Sequence, residues 1–588
     1  MEIEPASKEK RRILKPNLYR AQRTLYKNLH WFIYILFLAA CARQSAPTGG
    51  PKDTIPPVLV RATPPDETIN FDANQLELIF SEDVILNSPK EQLIVTPTIG
   101  KDYEIRARKN TVTLEFNERL QDSTTYTFNF RETVQDITEK NPVRNLTLAY
   151  STGDYLDSLS ISGTAYDMLK GKEIPDATVA LHVKNDTFNI FEHPAVYFTK
   201  TNKQGRFQID HLKPGEYFVY AFLDKNRNII VNSRNESYGF ISEHQNLMEN
   251  IDSVRIGLVN LNAGPLKMSS ARPYNTYFNI RMTKNLRTFR LTATDSSDLV
   301  YSFGDDQANI KLYDTTEKDS IQIHVLAIDS IDNAIDTTLY AKFLTREVTP
   351  EKFQMNVTKT SLTGYTGEMT ATVQFSKPLG NILFDSIYFQ VDSLTRVNVT
   401  RENFTWAELT RELTLQLKME PSFFATEEEN GNGRRPQAIP GTAPQAKPVK
   451  LNELNLRAAA FISVEGDSSE ATVQNIRPMT EQDLSIINVT IRTNEESFLV
   501  QLIDNNYQVV RQVRNLRRVR FENVIPGDYQ MRLIIDRNNN GRWDPGNYFE
   551  NQEPEPVVYY RGADGTTAIK GVKANWEIGG DDEMLITY

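Results

Sequence analysis

The sequence predicts an all-β protein built from serial β-sandwich domains, and three observations carry that prediction. Apolar and polar residues alternate at period two, as at Leu76, Leu78 and Phe80. Turn residues recur roughly every 8–12 positions. The chain holds 25 tyrosines and 29 phenylalanines, residue types that favour strands. Its 588 residues are enough for several such domains.

A short apolar run near the start predicts a secretory signal peptide over residues 1–40. Residues 31–40 are apolar without a break, and the segment before them carries eight basic and three acidic residues. The run is shorter than the roughly 20 residues that a membrane span needs. It ends at Cys41, the only cysteine of the chain. An incidental cysteine is the alternative to a functional one.

Residues 38–41, Leu-Ala-Ala-Cys, resemble the lipobox of bacterial lipoproteins. The resemblance implies cleavage before Cys41 and a lipid on its sulfur. Two or three acyl chains would hold the protein on a membrane almost permanently, because each buried methylene adds about 0.8 kcal/mol. We therefore expect lipidation at Cys41 and a protein that works outside the cytoplasm.

The charge balance argues against nucleic acid as a partner. The formal charge is −10, and removing the eight basic and three acidic residues of the leader leaves 58 basic against 73 acidic residues, or −15. Phosphate binding requires a clustered basic face. A single cysteine cannot form a disulfide within its own chain, and none of the six histidines forms a pair at ligand spacing, which argues against a zinc site.

The part after the leader divides into a tether and five units. Residues 41–58 are small, polar and rich in Pro and Gly, which predicts a lipidated flexible tether. Strand and turn patterns then restart over 59–155, 156–262, 263–348, 349–478 and 482–588, called here the first to fifth units. We expect each to be an independent sandwich with a small interface to its neighbours, in an elongated molecule.

Residues 425–450 interrupt the fourth unit. They contain an acidic, glycine-containing run followed by a proline- and alanine-rich stretch, which predicts a disordered insertion. Because strand character resumes at Leu451, we expect a loop within one domain, and the first site of protease cleavage.

Three motifs connect the first unit to a known family: Thr-Gly-Gly-Pro-Lys-Asp at 48–53, Ile-Phe-Ser-Glu-Asp-Val at 79–84 and Ser-Thr-Gly at 151–153. Together with the lipobox they resemble Bacteroidetes outer-membrane lipoproteins that carry an SbsA-type Ig-like domain. The resemblance implies an Ig-like fold for the first unit and an outer-membrane location. It covers residues 41–153 well and the remainder loosely.

The second and fifth units look like two copies of one small sandwich. Residues 174–179, Ile-Pro-Asp-Ala-Thr-Val, resemble the prealbumin-like repeats of many surface proteins. The ending of the second unit then recurs at a constant offset of 312 residues: Phe207, Ile209, Leu212, Pro214, Gly215, Tyr217 and Asp224 correspond to Val519, Phe521, Val524, Pro526, Gly527, Tyr529 and Asp536. We therefore expect prealbumin-like sandwiches at 156–262 and 482–588.

One acidic loop of the fifth unit has the ligand spacing of a calcium site. Its candidate ligands, at positions 1, 3, 5 and 9, are Asp536, Asn538, Asn540 and Asp544. Gly541 at position 6 permits the sharp turn, but Asn547 stands where Glu would complete an EF-hand. An Asx-rich hairpin turn is the alternative. The corresponding loop of the second unit begins at Asp224 and lacks the glycine.

No catalytic motif was found. The sequence has no Gly-x-Ser-x-Gly, no phosphate-binding glycine loop and no His-Glu-x-x-His. Carboxylate pairs such as Glu82 with Asp83, or Glu216 with Asp224, fit an exposed acidic surface as well as acid–base chemistry. The sequence therefore predicts a non-catalytic, lipid-anchored binding or scaffold protein, an adaptor in an outer-membrane complex. Its expected partner is an envelope protein or glycan. A carbohydrate-binding or carbohydrate-processing subunit is the alternative. An acidic run after the lipidated cysteine resembles the surface-export signals of Bacteroidetes, and residues 42–44 lack one. That resemblance implies the periplasmic face rather than the cell surface.

Overall fold

The predicted all-β fold is confirmed in the computed structural model, which describes residues 52–100, 102–295, 298–314, 318–344, 349–425, 448–579 and 583–588. Within these ranges the single α-helix is the four-residue α1 (Pro89–Gln92), and none of the described helices is long and apolar enough to cross a membrane. The five 3₁₀ turns are Phe384–Ser386, Arg401–Asn403, Pro421–Phe423, Glu481–Asp483 and Tyr548–Glu550. The expected signal peptide, Cys41, and most of the 425–450 insertion lie outside the described residues.

The first unit is a sandwich with one core. Its strands are β1 (Leu59–Thr63), β2 (Gln75–Phe80), β3 (Val84–Leu86), β4 (Ile94–Thr96), β5 (Tyr103–Arg108), β6 (Thr111–Phe116), β7 (Thr125–Asn129), β8 (Val134–Asp136) and β9 (Thr147–Ser151). They form the sheets β1-β2-β6-β5, β4-β7-β9 and β3-β8. Leu76, Leu78 and Phe80 point into the core while Glu77 and Ile79 are less buried, as the period-two pattern requires.

The second unit has two sheets. Its strands are β10 (Leu159–Asp167), β11 (Lys172–Glu173), β12 (Thr178–Val183), β13 (Tyr197–Lys200), β14 (Arg206–Leu212), β15 (Gly215–Phe222), β16 (Tyr238–Phe240), β17 (Gln245–Leu247) and β18 (Ile251–Leu258). One sheet runs β11-β10-β14 with β18 parallel to β10, and the other runs β13-β12-β15-β16 with β17 also on β15. On β15, Tyr217, Val219 and Ala221 fill the core between the two sheets.

The third and fourth units follow. The third consists of β19 (Met268–Tyr274), β20 (Tyr277–Met282), β21 (Leu286–Ala293), β22 (Val300–Phe303), β23 (Asn309–Tyr313), β24 (Ser320–Asp329) and β25 (Ala334–Lys342), in the sheets β19-β20-β23-β22 and β21-β24-β25. The fourth consists of β26 (Met355–Thr363), β27 (Glu368–Phe375), β28 (Leu379–Ile382), β29 (Ile387–Asp392), β30 (Arg396–Asn398), β31 (Phe404–Ala407), β32 (Glu412–Lys418), β33 (Lys450–Leu456), β34 (Phe461–Ser463) and β35 (Thr472–Asn475). Its sheets are β26-β27-β32-β31, β30-β29-β33-β35 and β28-β34. Leu417 and Leu454, from opposite sides of the insertion, lie in one core.

The fifth unit repeats the topology of the second. Its strands are β36 (Ser485–Arg492), β37 (Phe498–Asp504), β38 (Val509–Arg514), β39 (Arg518–Val524), β40 (Gly527–Ile535), β41 (Val557–Tyr559), β42 (Ala568–Val572), β43 (Glu577–Ile578) and β44 (Leu585–Thr587). In one sheet β39 pairs with β36, and β43 and β44 lie parallel to β36 as β18 does to β10. The order β38-β37-β40-β41 of the other sheet matches β13-β12-β15-β16.

The second and fifth units are not independent, because one hydrophobic core crosses between them. On β15, Phe218, Tyr220 and Phe222 point away from the sandwich core and pack with Leu499, Ile503, Ile534, Val557 and Tyr559 of the fifth unit. Ile331 of the third unit joins the same core. The expectation of separate units with small mutual interfaces is therefore wrong for this pair. The physical reason is that β15 is apolar on both faces, so its outer face must also be covered.

Candidate functional site

The predicted calcium loop folds into a turn whose polar atoms bind one another. The carboxylate of Asp536 is fully buried at the end of β40, and its two oxygens accept the backbone amides of Asn540 and Gly541, each at 2.9 Å. The side-chain oxygen of Asn538 also accepts the amide of Asn540, at 3.2 Å. Arg514 from β38 donates to Asp536 at 3.1 Å. The four predicted residues are thus brought together around a tight turn.

A second buried carboxylate, that of Glu555, also accepts backbone amides of this loop, and it is not part of the motif. Glu555 is 5% exposed and accepts the amides of Arg537 at 2.7 Å and Asp544 at 3.0 Å. Burial raises the pKa of Glu555, and the nearby Asp544 and Asp536 add to the rise, against the lowering effect of the two amides. Trp543 donates its indole N–H to the Glu555 carbonyl at 2.9 Å. The loop therefore depends on a residue 19 positions after Asp536.

The loop of the second unit has the same architecture despite its different sequence. Asp224 accepts the amides of Asn228 at 3.2 Å and Ile229 at 3.1 Å. Glu236, 1% exposed, accepts the amides of Lys225 and Asn232, each at 2.8 Å. Glu236 and Asn232 therefore occupy the places of Glu555 and Asp544.

Ile229 takes the conformation that the missing glycine would supply. Its φ is 55°, and that of Gly541 is 81°. A β-branched residue in this left-handed region is strained. Ile229 is held there because its side chain packs against the core shared by the second and fifth units. The two loops therefore have the same left-handed backbone at this position, although only the fifth-unit loop has a glycine there.

The side chains of the fifth-unit loop hydrogen-bond to one another and to the amides of the loop, which fits an Asx turn better than a calcium site. Calcium takes six to eight oxygen ligands. Both oxygens of Asp536 already accept amides, and the Asp544 carboxylate faces the amide nitrogens of Asn538 and Asn540 as well as Arg542 at 3.0 Å. Among the described residues, no group of three or more His, Cys, Asp or Glu is arranged to hold a metal. Calcium binding stays a prediction.

The suggested acid–base pairs have other partners. Glu216 pairs with Lys184 at 2.7 Å, and this bond lowers the pKa of Glu216. Asp224 is engaged by the amides of its own loop. Desolvation, with the charges of Asp136 and Asp53, raises the pKa of Glu82, which lies half-buried in the bend between β2 and β3. These carboxylates do not form a described catalytic arrangement.

Polar bonds surround the core shared by the second and fifth units. Arg532, 8% exposed, donates to Gln501 at 2.8 Å within its own unit and to the Leu169 carbonyl of the second unit at 2.9 Å. Ser242 donates its amide and hydroxyl to Glu553, both at 2.8 Å. A Cβ on Gly171 would lie 2.5 Å from the ring of Tyr559. The shared core, the close approach of Gly171 to Tyr559 and these polar bonds hold the two units in direct contact.

A groove of about 730 Å³ lies between the first and second units. Two ion pairs cross the seam beside it, Arg131 with Asp176 at 2.9 Å and Arg227 with Glu91. Lys200 lies in the groove, where burial lowers its pKa, and donates to the Asp176 carbonyl at 3.4 Å. Tyr103, Phe198, Asn226 and Asn228 also line the groove. It offers rings, amides and the ammonium groups of Lys90 and Lys200 to a ligand.

Sequence reasoning missed a run of arginines on β38, β39 and the turn between them, two strands that belong to different sheets. Five arginines fall within ten residues and are all exposed: Arg511, Arg514, Arg517, Arg518 and Arg520. The signal was available, since such a run stands out in an acidic chain. The net charge does not show it, because acidic residues elsewhere in the chain outnumber these arginines.

Comparison with known protein families identifies one domain of this chain. A family model described as bacterial Ig-like domain matches residues 53–152. This match places a bacterial Ig-like domain in the first unit. No curated protein matches the chain.

Several solved structures resemble the chain at low identity. The major pilin subunit of Bacillus cereus is 13% identical, with 73% of this chain and 97% of that chain covered, at a TM-score of 0.12. Dimeric latent PorU from Porphyromonas gingivalis is 9% identical, with 58% and 36% covered, at a TM-score of 0.16. The glucan-utilization protein SGBP-B of Bacteroides ovatus, solved with a heptasaccharide, is 10% identical, with 62% and 86% covered, at 0.13. TM-scores this low carry no argument about arrangement or function.

Proposed function

We propose that this chain is a lipid-anchored scaffold or binding protein of the bacterial cell envelope, without catalytic activity, that acts as an adaptor in an outer-membrane complex. One observation carries the proposal: a bacterial Ig-like domain begins at residue 53, shortly after a leader whose lipobox-like end holds the only cysteine. The SbsA-type, Bacteroidetes lipoprotein resemblance of residues 41–153 supports the same function. The periplasmic face of the outer membrane is the preferred location.

The anchor is tested by metabolic labelling with a fatty-acid analogue. We expect the native protein to take up the label and the Cys41→Ser variant to take up none, with its precursor uncleaved. Lipid attachment needs the cysteine sulfur, whereas the leader of the variant still directs export. A native protein that stays unlabelled while its leader is removed would refute the anchor. Crosslinking in native membranes followed by capture of the chain would then identify the adaptor's partner.

A carbohydrate-binding role is the second candidate, and the groove between the first two units favours it. Aromatic rings stack against the apolar faces of sugars, and Asn226 and Asn228 can bond to hydroxyl groups. Binding to an array of envelope glycans, lost in a Lys200→Met variant and kept in a variant of the exposed Lys203, would support this role. If no glycan on the array binds, the carbohydrate-binding role is refuted and the scaffold function remains as the proposal.

Calcium binding by the fifth-unit loop is proposed as a stabilising feature of the same scaffold. Asp536 and Asp544 would supply carboxylate oxygens, and Asn538 and Asn540 would supply oxygens after their side-chain amides flip, since the two ends of an amide are nearly isosteric. If calcium binds, it raises the Tm of the native chain, and Asp536→Ala removes that increase. The same Tm in calcium and in chelator would leave the Asx turn as the full account of the loop.

A further inference from the structure

A cavity of about 520 Å³ lies where the fourth unit meets the fifth. Its floor is the outer face of the sheet that contains β39, β36 and β43. On β39, Val519 and Phe521 point into the core of the fifth unit, so Arg520 and Glu522 point outward, into the cavity. Sites that bury small ligands have volumes of about 300–1,000 Å³. This cavity therefore has the size of a ligand-binding site.

The fourth unit supplies one wall of the cavity, the turn between β26 and β27. This turn carries Tyr365, which is 40% exposed and donates its hydroxyl to the side-chain oxygen of Asn523 on β39. The preceding Gly364 donates its amide to the Met479 carbonyl at 2.8 Å. The turn is thus bonded both to the fifth unit and to the segment that connects the two units.

The connecting segment supplies a second wall, the 3₁₀ turn Glu481–Asp483. Thr480 caps this turn, because its amide and its hydroxyl each donate to the Asp483 carboxylate at 2.8 Å. Glu481 and Gln482 are exposed on the turn, and among the described residues their side chains have no hydrogen bond or ion pair. Walls that are fixed in this way lower the entropy cost of binding a ligand between them.

An exposed indole ring borders the same cavity. At 46% exposure, Trp576 is the most exposed tryptophan in the described part of the chain. Its carbonyl accepts the Ile486 amide at 2.8 Å, and the ammonium of Lys573 lies 4.9 Å from the centre of its ring. A single exposed ring is ordinary on a protein surface. Here a second ring, that of Tyr365, lines the same cavity from another unit.

The charged residues of the cavity disfavour an anionic ligand. Its lining includes the three carboxylates Glu481, Glu522 and Glu577 and one cation, Arg520. That guanidinium pairs with Glu522 at 3.1 Å and also with Glu577. Burial raises the pKa of the Tyr365 hydroxyl, and the charges of Glu481 and Glu522 add to the rise. A nucleic acid or an acidic sugar would meet net repulsion at this site.

The groups that remain open in the cavity match the chemistry of a neutral sugar. A sugar ring has an apolar C–H face, which packs on aromatic rings, and hydroxyl groups that both donate and accept hydrogen bonds. Trp576 and Tyr365 supply the rings. Glu481 accepts hydrogen bonds from hydroxyl groups, and Gln482 both donates and accepts them. A bound peptide would instead use an open strand edge or an apolar groove, whereas this floor is the polar outer face of a sheet.

We propose that this cavity binds a neutral oligosaccharide. One sugar ring packs on Trp576, and its hydroxyl groups bond to the side chains of the turn Glu481–Asp483. The site is distinct from the groove between the first and second units. Its binding requires neither that groove nor the lipid anchor.

The test uses the chain from residue 42 onward, which keeps every described unit. The chain is applied to an array of neutral and acidic glycans and is then titrated with the neutral glycan that gives the strongest signal. This chain keeps three of the four tryptophans, so the titration is followed by their fluorescence. We expect binding to neutral glycans and at least about tenfold weaker binding to acidic glycans of the same length. If no neutral glycan binds, the proposal is wrong.

Matched variants assign the binding to this cavity. Trp576→Ala should weaken binding at least about tenfold, the effect expected for a ring at the centre of a contact. Tyr155→Ala removes a ring that is 60% exposed elsewhere and should change binding little. Trp576→Phe keeps a ring, so it should retain part of the binding while losing the fluorescence change. Thermal unfolding checks that each variant is folded.

Three outcomes would overturn the proposal. Equal affinities of Trp576→Ala and Tyr155→Ala would show that the ring of Trp576 does not contact the glycan. Loss of binding in Lys200→Met with full binding in Trp576→Ala would place the glycan in the groove between the first two units. Capture of peptides from a casein digest, without any bound glycan, would contradict the ligand class. Failure of the anchor is read separately, since the fatty-acid label reports only on Cys41.

Discussion

At the scale of single residues, the two acidic loops depend on carboxylates that no local motif contains. Glu236 follows Asp224 by 12 residues and Glu555 follows Asp536 by 19, yet each accepts two amides of its loop. A spacing motif finds ligands within one turn and cannot find a partner whose distance varies between copies. The repeat itself, read at a constant offset, found Asp224 and Asp536 but not the two glutamates.

Glu555→Gln should destabilise the loop by about 1–3 kcal/mol, because an amide N–H₂ would replace one of two acceptors facing buried N–H groups. Burial raises the pKa of Glu555 above its ordinary value of 4.5. The folded state thus holds this proton more tightly than the unfolded state. The stability contributed by that proton is full below pH 4.5 and is lost as the pH rises through the raised pKa.

The difference in free energy of unfolding between the native chain and Glu555→Gln should therefore shrink as the pH rises through that range. Urea unfolding over a pH series, followed by the fluorescence of the adjacent Trp543, measures it. Glu550→Gln, on an exposed turn, is the control and should show no such trend. A difference that grows with pH would contradict the assigned direction.

At the scale of elements, one strand explains both what the sequence predicted and what it did not. Alternation and the 312-residue offset predicted the strands and the related endings of the second and fifth units. The predicted independence failed at β15, where Phe218, Tyr220 and Phe222 occupy the face opposite Tyr217 and Val219. Its six buried residues from Tyr217 to Phe222 are apolar on both faces, which indicates burial on both sides. In the fifth unit the sequence indicates burial on both sides less clearly, because Gln530 and Arg532 occupy the face of β40 that corresponds to the outer face of β15.

Gly171→Ala tests the interface between the two copies, and Gly565→Ala is its matched control. Both glycines have positive φ, 63° and 77°. Each alanine should cost about 1–2 kcal/mol for the left-handed conformation. A Cβ at Gly565 meets no atom within 4 Å, whereas one at Gly171 lies 2.5 Å from Tyr559. We expect Gly171→Ala to cost about 1–3 kcal/mol more. Equal Tm values for the two variants would mean that this contact does not hold the units together.

At the scale of the whole molecule, the order of units in sequence differs from their order in space. Arg411 of the fourth unit donates to Ser302 of the third at 3.0 Å and to the Phe303 carbonyl. The fifth unit then packs on the second through a shared core. The chain from the second to the fifth unit is thus closed on itself. A closed arrangement fixes the directions of its exposed surfaces, which a string of separate domains would not do.

Removing the fifth unit should therefore damage the second unit, although the two are more than two hundred residues apart. A chain ending at residue 479 loses the part of the cover that the fifth unit gives to the outer face of β15, and the newly exposed apolar surface around Phe218, Tyr220 and Phe222 should bind a hydrophobic dye. The second unit should also unfold at a lower temperature, because burial of such a side chain contributes roughly 1.5–3 kcal/mol.

The control is a chain that begins at residue 156, which lacks the first unit but keeps the shared core. It should bind little dye and keep the melting transition of the second and fifth units. Hydrogen exchange at β15 assigns the effect to the right strand: exchange should quicken in the chain ending at 479 and change little in the chain beginning at 156. If β15 stays equally protected in both, the outer face of this strand is stable without the fifth unit, and the two copies are independent domains that merely touch.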